Sequence, residues 1–411
     1  MTVKNILLSA YSCRPHHGSE PEVGWQWATN LAKLNYKVTV ITHVDNKKKI
    51  KNVRNIRNLS FIYYDLPKFL NFFIKNKDYN RNYLYLILWQ FGIFFLVRNI
   101  LKNKNFDLIH HVTIVSIRIP SFLAFLNKPF VFGPIAGGEK IPDKLKNCLT
   151  FKEKIFENIR ELSNSYISFS PLMNACFYKS KKIIVTKDTL RLIPKIFRYK
   201  CKISCSVCID KFKKKRITEN KQKIFNICYV GNMIGLKGIE IIFYTFSKLL
   251  KNTNKIRLNL IGEGDKSRLL NLIKKYNISS YVNYIGKVEK KKLTKIYRNN
   301  DLLFFPSLRD SGGFVVLEAL NHYLPCAVLD IGGPSNFISN KNGIKISPKN
   351  KDIHQISNEF KLRILKIIRN QYKYNIKINV IKNDIKKYSW VKIVRKVINY
   401  SYKFYLNNNQ N

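Results

Sequence analysis

The sequence PSLRDSGGFVVLEA occupies residues 306–319 and places one carboxylate on each side of a glycine pair. An apolar run at 302–306 leads into it, and the run after the glycines is typical of a helix. Paired glycines let backbone N–H groups approach a phosphate closely, and a helix N-terminus adds partial positive charge. The stretch therefore predicts a strand, a ligand-binding loop and a helix, as found at the carboxyl ends of strands in parallel α/β sheets.

The same alternation of short apolar runs and longer helix-like stretches continues along the chain, which is typical of parallel sheets with helical crossovers. The predicted strands of the first half are residues 5–9, 37–42, 61–64, 107–111, 130–132 and 182–185. Those of the second half are residues 225–230, 257–261, 282–285, 302–306 and 326–330. We therefore predict two Rossmann-like domains, separated by a polar linker and followed by a C-terminal helix. The predicted bounds are 1–209, 210–223 for the linker, 224–385, and 386–411 for the helix.

The composition is strongly basic, with 74 Lys and Arg against 25 Asp and Glu, a formal net charge of +49. Hydrophobic residues make up 45% of the 411 residues, which is enough for a folded chain of two or three domains. Because the lysines are spread along the whole chain, we interpret the surplus as a diffuse solvated surface and expect no nucleic-acid partner. A polyanion-binding protein stays the alternative, and an attraction to acidic bilayers and phosphorylated substrates is expected on either interpretation.

Eight scattered cysteines are typical of reduced thiols in a reducing compartment. Cys201, Cys205 and Cys208 lie close together but have no second pair and no nearby His, so a zinc site is not supported. The apolar run at the amino terminus is too short for a signal peptide and predicts a first buried strand. The chain is therefore expected to be cytoplasmic.

The longest apolar run, residues 83–97, is interrupted by Gln90 and Gly92 and is shorter than the ~18 residues that span a bilayer. A buried core helix is the favoured interpretation. The alternative is an interfacial helix on an anionic membrane, since basic residues lie nearby in the sequence. These are Lys68, Lys75, Lys77, Arg81 and Arg98.

Five glycine-rich segments follow predicted strands, at residues 15–20, 133–139, 231–238, 262–264 and 310–314. None contains the Gly-x-Gly-x-x-Gly fingerprint or a P-loop, and the chain has no Asp-x-Asp pair. We therefore expect no cofactor and no metal, and a phosphate held by backbone amides and Lys237. Glu318, one turn into its helix, could accept hydrogen bonds from a ribose diol, and Asp310 could reach the attached sugar. Equally, Glu318 could be a charge that interacts with the helix dipole and Asp310 a turn former.

Taken together, these motifs resemble the retaining glycosyltransferases of family 4, which have the GT-B architecture. The signature of that family is an acid, seven further residues and then Glu, after a Pro-Ser that ends a strand; here the two acids are Asp310 and Glu318. In the second half the resemblance includes residues 231–238, 261–264, 284–286, 329–334 and 389–390. In the first half, residues 18–21, 110–113 and 133–139 resemble a bacterial subgroup. The resemblance implies two facing domains with an interdomain cleft and a C-terminal helix that returns toward the N-terminal domain.

For the second domain, the resemblance implies that Glu318 holds the donor ribose and that Lys237 meets the diphosphate beside Gly231. Asp310 would bind the donor sugar. The backbone amides expected to assist it are those of Gly312, Gly313 and Phe314. Two departures from the family pattern concern these residues, because the family usually has Glu where this chain has Asp310 and Arg where it has Asn232.

For the first domain, the resemblance implies that Gly18 faces the diphosphate and that His111 lies by the anomeric centre. Gly137, Gly138 and Glu139 would lie on the acceptor side. The His of the family often belongs to a His-x-His pair, whereas here two His residues are adjacent, and a His closing a buried strand is often structural.

The expected function is transfer of a sugar, with retention and without a metal, from a nucleotide-sugar donor to a glycan or lipid-linked glycan. The product would be a cell-surface polysaccharide, made by a cytoplasmic enzyme that is peripheral on the inner face of the membrane. One alternative is a retaining synthase of a soluble glycoside. Another is a homologue that binds without catalysis, which the two departures would suggest.

Overall fold

The structure is a computed structural model that describes residues 4–53, 55–67, 70, 82–209, 224–339, 341–369 and 378–402. The predicted linker at 210–223, and Lys68, Lys75, Lys77 and Arg81, lie outside the described residues. The contacts between residues divide the chain into two compact units. The first unit consists of Met1–Gly138, Leu162–Asp210 and Trp390–Asn411, and the second of Glu139–Glu161 and Lys211–Ser389.

The first unit is built on a sheet of seven strands, all paired in parallel, in the order β3-β2-β1-β4-β5-β6-β7. The strands are β1 Asn5–Ala10, β2 Lys37–His43, β3 Leu59–Tyr64, β4 Leu108–Thr113, β5 Phe130–Ile135, β6 Lys182–Val185 and β7 Cys201–Ile203. Strands β4 and β5 are fully buried, as expected for central strands of a sheet covered on both faces, and β5 is apolar throughout.

The helices of the first unit are Ser19–Lys33, Lys47–Lys51, Tyr83–Ile100, Pro171–Lys179, Lys187–Leu190 and the C-terminal Trp390–Ser401. The helix Phe151–Tyr166 begins in the segment Glu139–Glu161 of the second unit. In the helix Ser19–Lys33, a Cβ atom at Gly24 would lie 2.1 Å from the Ser12 carbonyl oxygen, so only glycine allows this close packing near the end of β1.

The C-terminal helix packs within the first unit. Trp390 donates its backbone N–H to the Ile209 carbonyl at 3.0 Å, and the Tyr402 hydroxyl lies 2.6 Å from Nδ1 of His110. Trp390 and Val394 are buried, as the predicted apolar face of this helix required.

The second unit contains a parallel sheet of six strands in the order β10-β9-β8-β11-β12-β13. Its strands are β8 Phe225–Val230, β9 Ile256–Ile261, β10 Val282–Gly286, β11 Leu302–Phe305, β12 Cys326–Leu329 and β13 Gly343–Ile346. Its helices are Ile239–Leu250, Lys266–Lys275, Lys290–Arg298, Phe314–Asn321, Gly332–Ser335, Ile353–Arg369 and Ile378–Ile385.

The prediction of two parallel-sheet Rossmann-like domains is confirmed, and each of the eleven predicted strands corresponds to a strand of the structure. Strands β7 and β13 were not predicted. The division into two units also differs from the predicted domain bounds. Residues Glu139–Glu161 pack with the second unit although they precede the end of the first sheet.

The apolar run predicted at 83–97 forms the helix Tyr83–Ile100, which extends three residues further than predicted. By length and composition this helix could cross a membrane, so the sequence argument from its shortness was wrong. Its inner side nevertheless packs in the core of the first unit through Tyr85, Trp89, Ile93 and Val97. This packing agrees with the favoured interpretation, a core helix.

Candidate functional site

The loop at 306–313 connects β11 to the helix Phe314–Asn321 and fixes where that helix begins. Gly313 occupies the N-cap position with φ of 74° and ψ of 33°, in the left-handed region. A Cβ atom there would lie 2.8 Å from backbone atoms of Pro334. Only glycine therefore allows this turn, and the predicted role of the glycine pair in opening the helix is structurally justified.

Asp310 is the centre of this loop. Its Oδ1 accepts hydrogen bonds from the backbone N–H groups of Gly312 at 2.9 Å and Gly313 at 2.8 Å, and its Oδ2 lies 2.5 Å from Nζ of Lys237. Burial acts to raise the pKa of Asp310, but Lys237 and the two amides outweigh it, and the pKa lies below its ordinary value. Two of the three amides predicted to meet the donor sugar, those of Gly312 and Gly313, therefore bind Asp310 here. A ligand reaches these two amides only if that carboxylate turns.

Lys237 comes from the loop after β8 and ends the short 3₁₀ turn Gly235–Lys237. The carbonyl oxygen of Leu236 accepts hydrogen bonds from the Leu308 N–H at 3.0 Å and from the Ser307 hydroxyl at 3.3 Å. A Cβ atom at Gly238 would lie 2.0 Å from the Pro306 carbonyl oxygen. The two loops thus interlock through their backbones, which fixes the Lys237 side chain beside Asp310.

The first glycine of the Lys237 loop also lies in a tight backbone contact. Gly231 donates its N–H to the Ile261 carbonyl at 2.9 Å, and a Cβ atom at Gly262 would lie 1.9 Å from the Gly231 carbonyl oxygen. The Tyr229 hydroxyl donates to the Asn232 carbonyl at 2.6 Å, while the Asn232 side chain is exposed. Close packing of one backbone segment against another is therefore what requires glycine in the three predicted glycine segments of the second unit.

Glu318 projects from the helix Phe314–Asn321 with about a quarter of its side chain exposed. Its Oε2 accepts a hydrogen bond from the Tyr297 hydroxyl at 3.4 Å, and its Oε1 lies 3.6 Å from Nζ of Lys290. Burial, and then the neighbouring Glu318 carboxylate, raise the pKa of Tyr297 well above its ordinary value, so this hydroxyl stays a donor. The partly exposed carboxylate can still accept hydrogen bonds from a diol.

A further carboxylate, Glu153, holds the Lys237 loop. Its Oε1 accepts the Gly235 N–H at 2.8 Å, and its Oε2 accepts the Thr150 N–H at 2.8 Å and lies 3.3 Å from Nη1 of Arg268. A Cβ atom at Gly235 would lie 2.5 Å from Oε2 of Glu153 and 2.7 Å from the Cys148 carbonyl oxygen. Sequence reasoning missed this residue, although Thr150 and Glu153 form a capping box, which is a recognisable helix-start signal.

Glu157 lies one turn further along the same helix and is almost fully buried. It binds Arg160 through both carboxylate oxygens, and its Oε2 lies 3.4 Å from Nη1 of Arg309. Arg309 directly precedes Asp310 in the chain. One helix face therefore contacts both loops that carry the predicted catalytic residues, through Glu153 and Glu157.

In the first unit, His111 lies on β4 and is fully buried. Its Nε2 lies 3.1 Å from the Ile114 carbonyl oxygen, and its Nδ1 has no hydrogen-bond partner among the described residues. Burial lowers the pKa of His111 to about 4, so the imidazole is neutral near pH 7. Its predicted position by the anomeric centre stays a prediction.

Gly18 precedes the helix Ser19–Lys33 at the carboxyl end of the first sheet, with φ of 78°. Its neighbour Glu20 accepts the Val115 N–H at 2.7 Å, which ties this loop to the segment after β4. Gly18 and His111 thus lie toward the same, carboxyl, end of the strands of the first sheet. The contact of Gly18 with a diphosphate stays a prediction.

The acceptor-side glycines lie after β5. The carbonyl oxygen of Gly137 accepts hydrogen bonds from Nη1 of Arg118 and from Nδ2 of Asn164, and that of Gly138 accepts one from Nη2 of Arg191 at 2.6 Å. Glu139 belongs instead to the second unit, where Arg160 donates to its carbonyl oxygen. All three residues were predicted to lie in the first domain. For Glu139 the division into two units differs from that prediction.

Among the described residues, no group of three or more His, Cys, Asp and Glu side chains is arranged to hold a metal ion. The eight cysteines are free thiols, and burial raises the pKa of Cys201 and Cys205 to about 11. These two thiols are therefore protonated near neutral pH.

Residues 210–379 match the family model described as glycosyl transferases group 1, over somewhat less than half of the chain. The protein CapJ of Staphylococcus aureus is 28% identical over 240 residues, or 55% of this chain and 57% of CapJ. An uncharacterized glycosyltransferase of Methanocaldococcus jannaschii is 29% identical over 180 residues, or 42% of this chain and 43% of that protein. The chain therefore spans about half the length of these relatives.

Two solved structures share the fold over nearly their whole length. Sucrose-phosphate synthase from Thermosynechococcus elongatus has a TM-score of 0.69 at 14% identity and covers 98% of this chain and 99% of its own. HepE of Anabaena, in complex with UDP and glucose, has a TM-score of 0.63 at 13% identity and covers 97% and 99%. The fold is that of the GT-B glycosyltransferases.

Proposed function

We propose that this protein is a retaining glycosyltransferase that moves a sugar from a nucleoside-diphosphate donor to a glycan or lipid-linked glycan acceptor. The observation that supports it most is the pairing of Lys237 with Asp310 on two interlocked, glycine-rich loops of the second unit. A cation and a carboxylate held side by side at strand ends suit a substrate that joins an anionic leaving group to a polyhydroxylated sugar.

In the proposed reaction the bond between the anomeric carbon and the diphosphate oxygen breaks while the acceptor oxygen bonds to the same face of that carbon. Lys237 and the helix-terminal amides stabilise the negative charge that develops on the diphosphate. The departing phosphate takes the proton of the acceptor hydroxyl, so the step needs no further base and no metal. Turnover should therefore persist in the presence of a chelator.

Similar proteins of known structure support the substrate class. HepE was solved with UDP and glucose bound, and a further similar structure is that of the lipopolysaccharide outer core galactosyltransferase WaaB. We propose a product of the same kind here, a cell-surface polysaccharide. We also propose that the protein is cytoplasmic and peripheral on the inner face of an anionic membrane, which its net charge of +49 favours.

The function is tested by thermal-shift screening against nucleotide sugars, followed by product analysis with the donor that stabilises the protein. A ligand that binds the folded state raises the melting temperature by an amount that grows with its affinity. Stabilisation by a nucleotide sugar would support the proposal. A steeply salt-dependent affinity for DNA with no response to any nucleotide sugar would support the polyanion-binding alternative.

Glu318→Gln is expected to weaken donor binding about tenfold, because the change removes one charge-assisted acceptor for the ribose diol. The substitution conserves shape, and the side chain is only partly buried, so the melting temperature should change little. Calorimetric titration with the donor measures the effect. Unchanged affinity would exclude the ribose role of Glu318.

Glu153→Ala is expected to lower turnover about tenfold, because the Gly235 N–H would lose the acceptor that holds the Lys237 loop. Asp143→Asn is the matched control, since Asp143 lies in the same segment and pairs at the surface with Lys146 at 3.0 Å. Steady-state rates at saturating donor compare the two variants. Equal rates for Glu153→Ala and the parent would show that the contact only caps its own helix.

A further inference from the structure

The helix Phe151–Tyr166 has its apolar side exposed and its polar side buried. In the part of the helix that belongs to the second unit, the exposed apolar side chains are Phe151, Ile155, Phe156 and Ile159, which we call the Phe151 stripe. These four recur at spacings of three or four residues, so they lie along one side of the helix. Phe151 is 78% exposed and Phe156 is 73% exposed, which is unusual for side chains of this size.

The opposite side of the helix explains why the stripe faces outward. Glu153 is bonded to Gly235, and Glu157 is bonded to Arg160 and Arg309, all within the second unit. Rotating the helix to bury the stripe would break these bonds and expose buried charges, at considerable cost in free energy. The apolar side is therefore held outward by the same contacts that hold the catalytic loops.

The charges indicate what covers the stripe. All three acids of the helix, Glu153, Glu157 and Glu161, have side chains that are less than a quarter exposed, whereas Lys152 is exposed beside Phe151. A second copy of the chain would bring together two bodies that each carry a formal charge of +49. An anionic surface would be attracted instead, and aromatic side chains next to lysines are typical of the headgroup region of a bilayer.

We propose that the Phe151 stripe docks the protein on an anionic lipid bilayer. The proposal deepens the proposed function and rests on it for its purpose, because a lipid-linked acceptor lies in that bilayer. Docking would place the membrane against the helix whose inner side holds the Lys237 loop through Glu153. The sugar acceptor would thus be collected where the catalytic loops are positioned.

A second exposed apolar helix face, on Tyr83–Ile100, is a competing docking surface. Phe91 and Phe95 on that face are about half exposed. Their rings pack edge-to-face at 4.9 Å, and Phe91 also contacts Phe122 at 5.3 Å. This face is therefore partly covered by its own neighbours, whereas the Phe151 stripe is more exposed.

The test is cosedimentation of the full chain with phosphatidylcholine vesicles, with and without phosphatidylglycerol. The variant is Phe156→Ser with Ile159→Ser, and the matched control is Phe91→Ser with Phe95→Ser. We expect the parent and the control to bind the phosphatidylglycerol vesicles and the stripe variant to bind at least about tenfold more weakly, since two apolar side chains lose their burial. All four side chains are exposed, so the melting temperatures should stay close to that of the parent.

Three results would overturn the proposal: no binding by the parent, equal binding by the stripe variant, or loss of binding only in the Phe91 and Phe95 variant. A dimer of the parent that the stripe variant abolishes would assign the stripe to a second copy, and so would also overturn it. The vesicle assay does not depend on catalysis. Vesicle binding without turnover of any donor would therefore refute the proposed function and leave the docking surface intact.

Discussion

Lys237→Ala is expected to lower turnover by about 30-fold to 1000-fold, the equivalent of ~2–4 kcal/mol for the loss of one preorganised group at a developing anion. The structure supports this expectation, because the position of the Lys237 ammonium group is fixed. It is fixed 2.5 Å from Oδ2 of Asp310 by two loops whose backbones interlock at Leu236 and Leu308. Among the described residues of these two loops, no second cation is bonded to Asp310 that could replace Lys237.

The measurement is the steady-state rate at saturating donor, which reports on the chemical step more directly than a rate at low donor. Lys275→Ala is the control, since Lys275 pairs with Glu240 at 3.0 Å and is 60% exposed. Its loss should leave turnover within about twofold, as expected for a surface ion pair. A fall of less than tenfold in Lys237→Ala would mean that Asn232 or the backbone amides are the main stabilisers of the leaving group.

The fold was predictable because its signal is local. An apolar run of four to six residues between turn residues predicts a buried strand whether or not its neighbours in the sheet are known. The two strands that were missed lack that signal. Strand β7 has only three residues, and its last, Ile203, is 48% exposed, while β13 alternates apolar residues with Lys345.

The site was less predictable because its decisive contacts are distant in sequence. Lys237 and Asp310 are 73 residues apart, and Glu153 and Gly235 are 82 residues apart. The motifs identified the first pair as separate site residues, but nothing in the sequence joined them in one ion pair. The segment Glu139–Glu161 was assigned to the first domain because it precedes the linker predicted at 210–223, whereas its carboxylates bind groups of the second unit.

The Phe151 stripe illustrates a more general limit. Periodicity shows that a helix has an apolar side, but it does not show whether that side faces the core. The usual assumption is that the apolar side of a helix faces the core. In the helix Phe151–Tyr166 the buried partners of Glu153 and Glu157 decide the orientation, and these partners, Gly235 and Arg309, come from distant parts of the chain.

Asp310→Asn is expected to lower turnover by about a hundredfold or more, because it removes the charge from a group that serves two sides at once. Oδ1 accepts from two backbone N–H groups, and Oδ2 accepts from the Lys237 ammonium. An amide has only one oxygen, so its NH₂ group would face either the amides of Gly312 and Gly313 or Lys237, and donors would oppose donors. Because the pKa of Asp310 is below its ordinary value, the parent side chain is charged at neutral pH and the loss applies there in full.

The variant Asp310→Glu tests whether the loop around Asp310 is adapted to the shorter acid or whether the shorter acid reflects a loss of activity. The backbone cannot retreat to make room for the extra methylene, since the Asp310 carbonyl accepts the Gly333 N–H at 2.7 Å and would lie 2.3 Å from a Cβ atom at Gly332. A longer side chain would therefore push its carboxylate past the amides of Gly312 and Gly313 or toward Lys237. We expect Asp310→Glu to turn over more slowly than the parent, at an unchanged melting temperature, in the same steady-state assay. If the Glu variant were faster, the shorter acid would be a sign of lost activity, and the homologue that binds without catalysis would become the better explanation of this chain.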